Sequence, residues 1–216
     1  MSYKNVFFDL DGTVTDPYIG ITNSIFFSLE YYPEIAKPPR EALKPFIGPP
    51  LYASYMEFFG MDEKTANEAV EHYREYYRPK GVLECSLYDR IAELLKNLKA
   101  SGKNVYLATS KPEGFAIQIL EHFEIKQYFN GIYGSTLDGS RVKKEDVLAY
   151  ALTESKADPK LSVMVGDTVF DVTGALKNEI PCIGVSYGYG ERDALSKAGA
   201  ISIVSSANEL QAILLK

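Results

Sequence analysis

Cysteine, histidine and positive charge are all scarce in this sequence, and each scarcity removes a class of function. The 216 residues contain two cysteines, Cys85 and Cys182. They lack the paired spacing of a zinc or dithiol motif, so both read as reduced and structural. His72 and His122 are the only histidines, which leaves an imidazole metal site or a Ser-His-Asp triad with little to draw on. Acidic residues outnumber basic ones, 29 to 23, for a formal net charge of −6. A dedicated nucleic-acid surface needs concentrated Lys and Arg, so nucleic acid is not an expected partner. No apolar run approaches membrane-spanning length, and Met1 leads almost directly into a strand-like run without a basic and apolar leader. The expectation is a cytoplasmic protein with no membrane partner, present as a monomer or weak homodimer. Carboxylates, hydroxyls and lysines are left to carry any chemistry.

What is present is a chain that is 46% apolar, enough for one large domain or a core with a small insert. It is organised around Phe7-Phe8-Asp9-Leu10-Asp11-Gly12-Thr13-Val14. Asn5 to Phe8 suits a strand buried on both faces, with Asp9 at its carboxyl end and Gly12 breaking it. In extended backbone, positions i and i+2 share a face, so Asp9 and Asp11 are expected to face one cleft. A calcium loop would need its glycine at the sixth position, whereas Gly12 would be the fourth.

After Asp16-Pro17 the pattern turns helical: Ile19 to Tyr31, Glu41 to Phe46, Leu51 to Phe59, and Glu63 to Arg78, the last with Ala66, Ala69, Val70, Tyr73 and Tyr77 on one face. From residue 86 helices and strands alternate. Helices are expected at 88–100, 112–123, 144–155 and 208–215, and strands at 104–108, 131–134, 161–165, 180–185 and 201–204. The fold class is therefore α/β: a doubly wound, Rossmann-like parallel sheet formed by 1–15 and 83–216, with an all-helical cap inserted at 16–82. Ligands of such sheets bind beyond the carboxyl ends of the strands. Asp9, Thr109 and Asp167 all fall at such ends.

Asp9-Leu-Asp-Gly-Thr13 resembles the first motif of the haloacid dehalogenase superfamily in the form used by its phosphatases. Thr109, after Val105-Tyr-Leu-Ala108, is similar to the second motif, and Gly166-Asp167-Thr-Val-Phe-Asp171 to the fourth. Thr168 stands where many close relatives have arginine. The resemblance implies Asp9 as the nucleophile of an aspartyl-phosphate intermediate and Asp11 as acid and base. It implies Gly12, Thr109 and Ser110 at the phosphate, and Mg2+ held among Asp9, Asp11, Asp167 and Asp171. A lysine neutralises phosphate and nucleophile in the family; Lys144 fits best and Lys143 competes. For Asp167 and Asp171 the plain structural reading is a helix cap, and for Thr109 likewise a cap.

Motif order and the helical insert look like phosphoglycolate phosphatase relatives. Ile47-Gly-Pro-Pro-Leu51, Ala108-Thr-Ser-Lys-Pro112 and Gly184-Val-Ser-Tyr-Gly-Tyr-Gly190 look like a subgroup labelled 5′-nucleotidase. The expected activity is Mg2+-dependent hydrolysis of small phosphomonoesters, of phosphoglycolate or nucleoside 5′-monophosphate type. A sugar phosphomutase and a pyrophosphatase are the alternatives. Gly48 and Arg74 are the candidate cap contacts with substrate. Arg78 and Lys80 are further anion candidates, and Tyr52, Tyr55, Tyr76 or Tyr77 are candidates to stack on a base. The competing reading has these tyrosines packing the cap core.

Overall fold

The computed structural model describes residues 3–216. Two compact units result, one made of the residues up to Asp16 with Leu87–Lys216, the other of Pro17–Ser86. The division falls one residue later on the outward crossing, and a few residues later on the return, than the expected 15 and 83.

The core unit opens with β1 (Asn5–Phe8) and the short β2 (Thr15–Asp16). The helical unit carries α1 (Tyr18–Ser28), α2 (Leu51–Phe59) and α3 (Glu63–Tyr77). After β3 (Ser86–Leu87), the core continues as α4 (Ile91–Ala100), β4 (Asn104–Pro112), α5 (Glu113–His122), β5 (Gly131–Ser135) and α6 (Lys144–Ser155). It ends with β6 (Ser162–Gly166), α7 (Val169–Lys177), β7 (Cys182–Val185), α8 (Arg192–Ala198), β8 (Ser202–Val204) and α9 (Ala207–Leu214). No helix among the described residues is long and apolar enough to cross a membrane.

Six strands form one sheet in the order β5-β4-β1-β6-β7-β8, and every pairing is parallel. β1 lies in the middle, so the chain builds outward to one side through β4 and then to the other through β6. That reversal is the position at which doubly wound sheets open a crevice. β1 is buried on both faces, with Val6, Phe7 and Phe8 inaccessible to solvent. Phe7 stacks on Tyr106 and joins Met164, Val172, Ala175 and Leu148 in the core beneath α6 and α7. Burying this run is what fixes Asp9 at the end of the central strand.

Local sequence sets the ends of several elements. Asp62 caps α3 by accepting from the Thr65 N–H at 2.8 Å, and Gly60 ends α2 in the left-handed conformation. Arg90, at φ 59°, starts α4 later than the expected residue 88. The segment Arg40–Phe46 is a 3-10 helix containing Pro45, and Leu29–Tyr31 is a 3-10 turn following α1. Both tighten where an α-helix was expected. β4 runs on past Ala108 to Pro112 with a register shift against β5, and α8 lies where no helix was expected.

Within the helical unit, Tyr55 is fully buried against Phe46 and Phe59, and its hydroxyl bonds that of Ser28. Tyr77 is also buried and stacks on Tyr73 at 5.2 Å. These two tyrosines are core residues and are not exposed for stacking on a base, because burying an aromatic face here outweighs exposing it. Tyr76 donates to Glu84, while Tyr52 is exposed.

Candidate active site

Three carboxylates meet beyond the central strands. Asp9 follows β1, Asp167 follows β6, and Asp171 lies in the first turn of α7. All are buried, and each offers an oxygen within 4.8 Å of the others. Asp171 accepts from the Thr168 N–H at 3.0 Å and the Thr168 hydroxyl at 2.8 Å, closing a capping box at the positive end of the helix. The cap and cluster readings of this segment therefore coexist: one oxygen serves the cap and the other faces Lys144.

The first residue of α6, Lys144, places its ammonium among these acids. Its Nζ lies 2.6 Å from Asp9 Oδ1 and 2.9 Å from Asp171 Oδ1, and donates to the Ala108 carbonyl at 3.1 Å. Lys143 caps the same helix from an exposed position, so the lysine that reaches the acids is Lys144. Burial alone would lower the Lys144 pKa, but Asp171 and Asp9 outweigh it and hold the ammonium charge above the ordinary lysine range. Burial pushes Asp9 up to about 6 against the pull of Lys144, with Asp171 adding to the rise. Asp167 is held well above the usual carboxylate range by burial first and by Asp171 and Asp9 next. One lysine does not balance three gathered carboxylates.

Asp167 is fixed through both oxygens: Oδ1 accepts from the Thr13 hydroxyl at 3.3 Å and Oδ2 from the Tyr189 N–H at 2.8 Å. Gly12 sits at φ +83°, and a Cβ there would lie 2.1 Å from Asp167 Oδ2. The glycine is required both for its backbone conformation and for this approach.

Asp11 is not in the cluster. Its Oδ2 pairs with Lys111 Nζ at 2.5 Å, and its Oδ1 is buried without a hydrogen bond. Thr109 is buried beside Asp9's strand and its Oγ1 accepts from the Lys111 N–H at 3.2 Å; Ser110 is half-buried. Gly48 is exposed with φ +109° in the helical unit, and Arg74 there pairs with Glu71. Arg78 also approaches Glu71, and Lys80 lies over the Tyr76 ring.

Sequence reasoning missed Lys111, Thr13 and Tyr189. Lys111 and Thr13 lay inside motifs already singled out, but their partners are 100 and 154 residues away. Tyr189 acts through its backbone, which leaves no signature in residue type.

Buried carboxylates and a lysine thus stand at the carboxyl ends of a parallel sheet, beside a strand-end hydroxyl. Residues 6–185 match the family model described as haloacid dehalogenase-like hydrolase, and the chain belongs to that family. It is 45% identical over 195 residues to a 5′-nucleotidase of Pseudomonas aeruginosa, covering 90% of this chain and 88% of that protein. It is 39% identical over 202 residues to the tyrosine-protein kinase PtkA of Mycobacterium tuberculosis, covering 94% of this chain and 68% of that one. The crystal structure of a predicted phosphatase from Clostridium acetobutylicum superposes with a TM-score of 0.95 at 46% identity, covering 100% of this chain and 99% of the other. The chain is thus an enzyme of the phosphatase kind within its family.

Proposed function

We propose that this enzyme is a Mg2+-dependent phosphatase of small phosphomonoesters, with nucleoside 5′-monophosphates as its first substrate class. The observation that carries the reading is the buried ammonium of Lys144, held between Asp9 and Asp171 beside Thr109. A carboxylate kept in place by a fixed cation at the end of the central strand is suited to in-line attack. The relative named a 5′-nucleotidase, 45% identical, supports the nucleotide class.

In this reading an Asp9 oxygen forms a bond to phosphorus as the ester oxygen leaves with a proton from Asp11. Water then attacks phosphorus, Asp11 takes its proton, and the bond to Asp9 breaks to release phosphate. Thr109, Ser110 and the backbone at Gly12 bind the phosphoryl oxygens, and Lys144 offsets their charge. The donor set fits magnesium, because three buried carboxylates supply hard oxygen ligands. Asp9, Asp167 and Asp171 would hold the ion. It would supply two positive charges to the phosphoryl oxygens and the acids. Asp11 is assigned to proton transfer alone, since its carboxylate is engaged by Lys111. The helical unit, with Gly48 and Arg74, is assigned to selecting the leaving group. A cytoplasmic location accords with two cysteines that form no disulfide.

Phosphate release from nucleoside 5′-monophosphates, phosphoglycolate, pyrophosphate and hexose phosphates, with magnesium and with chelator, tests the proposal. Chelator-sensitive release, fastest from a nucleoside monophosphate, is the expected result. Absence of release from every ester would overturn it. Isomer formation from a hexose phosphate would indicate a mutase, and phosphate transfer without release would indicate a phosphotransferase, as the name of the mycobacterial relative has it.

The metal assignment has its own pH signature. In metal-free protein the folded state holds protons on Asp9 and Asp167 more tightly than the unfolded chain does, since both pKa values are raised. Their contribution to stability is therefore greatest at low pH, and for Asp9 it declines as pH rises from the unfolded value of 3.8 through about 6. A bound cation takes the place of those protons, so magnesium should raise the Tm more at pH 8 than at pH 5. At a hundred times its Kd the shift at pH 8 should be roughly 5–10 °C. Equal shifts at the two pH values would count against binding at these acids.

Gly12→Ala should melt earlier and bind magnesium at least about tenfold more weakly, because strain at φ +83° is joined by displacement of Asp167. Isothermal titration of the variant with magnesium checks this. An unchanged Kd would remove Asp167 from the proposed ligand set.

A further inference from the structure

Lys111 is the one buried cation of the core site that the proposed chemistry leaves unused. Its side chain is 5% exposed, its Nζ lies 2.5 Å from Asp11 Oδ2, and Asp11 is 15% exposed. We infer that Lys111 is a second phosphate-binding cation, held on Asp11 in the free enzyme and transferred to a phosphoryl oxygen when substrate arrives. The inference rests on the phosphatase reading above.

Three observations carry it. The first is position. β4 shifts register between Ala108 and Pro112, and within that irregular stretch the Lys111 N–H bonds Thr109 Oγ1. Lys111 thus shares a turn with the hydroxyl assigned to phosphate, while Lys144 bonds the carbonyl of Ala108, immediately before that hydroxyl. Two lysines from different elements thereby reach one strand end.

The second is charge. The cluster of Asp9, Asp167 and Asp171 with Lys144 is accompanied by the separate Asp11–Lys111 pair, two residues along from Asp9, so that four carboxylates stand against two ammonium groups. With all of them ionised, a divalent cation brings the site to neutrality. Without Lys111 the same site keeps a net negative charge and repels a phosphate dianion.

The third is burial. A buried ion pair is weak evidence of stabilisation, because desolvation offsets most of its attraction. An ammonium enclosed to this degree leaves its carboxylate only for another anion, since water cannot replace the lost interaction. A phosphate dianion is the stronger competitor, and a lysine, as a compact charge on a flexible stem, can follow it. The exchange also releases Asp11 from its ion pair.

The test is binding of inorganic phosphate to the magnesium-loaded enzyme by calorimetry, together with the magnesium Kd of each protein. Lys111→Met should weaken phosphate binding by about ten- to hundredfold while leaving the magnesium Kd unchanged or tighter, because a positive charge near the acids has gone. Lys111→Arg should restore most of the phosphate affinity. Asp11→Asn should bind phosphate more tightly than wild type, because Lys111 is released from its partner. This variant carries the test if Lys111→Met does not fold.

Wild-type affinity for phosphate in Lys111→Met would overturn the inference. So would parallel loss of magnesium and phosphate affinity in a folded variant, or an Asp11→Asn enzyme that binds phosphate no tighter than wild type. If the wild-type enzyme neither binds phosphate nor releases it from any ester, the phosphatase reading itself fails. If it does both, and the Lys111 variants match it, only the role of Lys111 fails.

Discussion

Asp9→Asn should abolish turnover, by about 10⁴-fold or more in kcat, while leaving the fold intact. The substitution preserves shape and removes the oxygen that attacks phosphorus in the proposed scheme. Its effect on stability is a sharper test than the loss of rate alone. Burial raises Asp9 to about 6 even with Lys144 beside it, so its surroundings as a whole favour an uncharged group. Metal-free Asp9→Asn at pH 8 should therefore melt no lower than wild type, although it loses an ion pair. Phosphate release by single-turnover kinetics, read beside a thermal melt, separates the outcomes. Substantial hydrolysis by a folded variant would remove Asp9 as nucleophile. Loss of both activity and fold would mean that the Lys144 contact outweighs the burial of charge.

The parallel sheet and the placement of the acids were legible because both are local patterns. A continuous apolar run followed by Asp9 reads as a buried strand with a carboxylate at its end, and the same logic places Asp167 after β6. The six-stranded α/β core bears out the expected fold class. The bounds of some helices were also clear: those expected for α2 and α6 agree with those observed.

What could not be read locally was decided by pairing across the chain. Lys111 follows Thr109-Ser110 and precedes a proline, a context that reads as a polar strand exit. Its actual surroundings depend on an irregular extension of β4 and on Asp11, 100 residues earlier. Lys143 and Lys144 are indistinguishable by residue type, and the start of α6 separates them into an exposed cap and a buried cation. Tyr55 and Tyr77 offered aromatic faces on paper; packing within the helical unit consumed them. The common cause is that a local pattern specifies which backbone conformation forms, while long-range packing specifies which polar group ends in the site.

Lys144→Met is the other large effect, and it reaches stability as well as activity. The variant keeps the aliphatic volume that fills the space beside Gly174, where a Cβ would lie 2.9 Å from Lys144 Cγ. It leaves Asp9 and Asp171 buried without the cation that contacts both. Removing one partner of a buried ion pair costs about 3–5 kcal/mol, so the metal-free variant should melt well below wild type at pH 8. Protonation offers the acids an escape that wild type needs less, so the deficit should narrow as pH falls and the carboxylates neutralise. Magnesium should narrow it as well, because two positive charges among the same oxygens replace the one removed. Activity should nevertheless stay low in saturating magnesium, since the ammonium that offsets phosphoryl charge directly beside Asp9 is gone. Melts at pH 5 and pH 8, with and without magnesium, check the argument. A deficit independent of both pH and metal would mean that Lys144 supports the fold through packing alone.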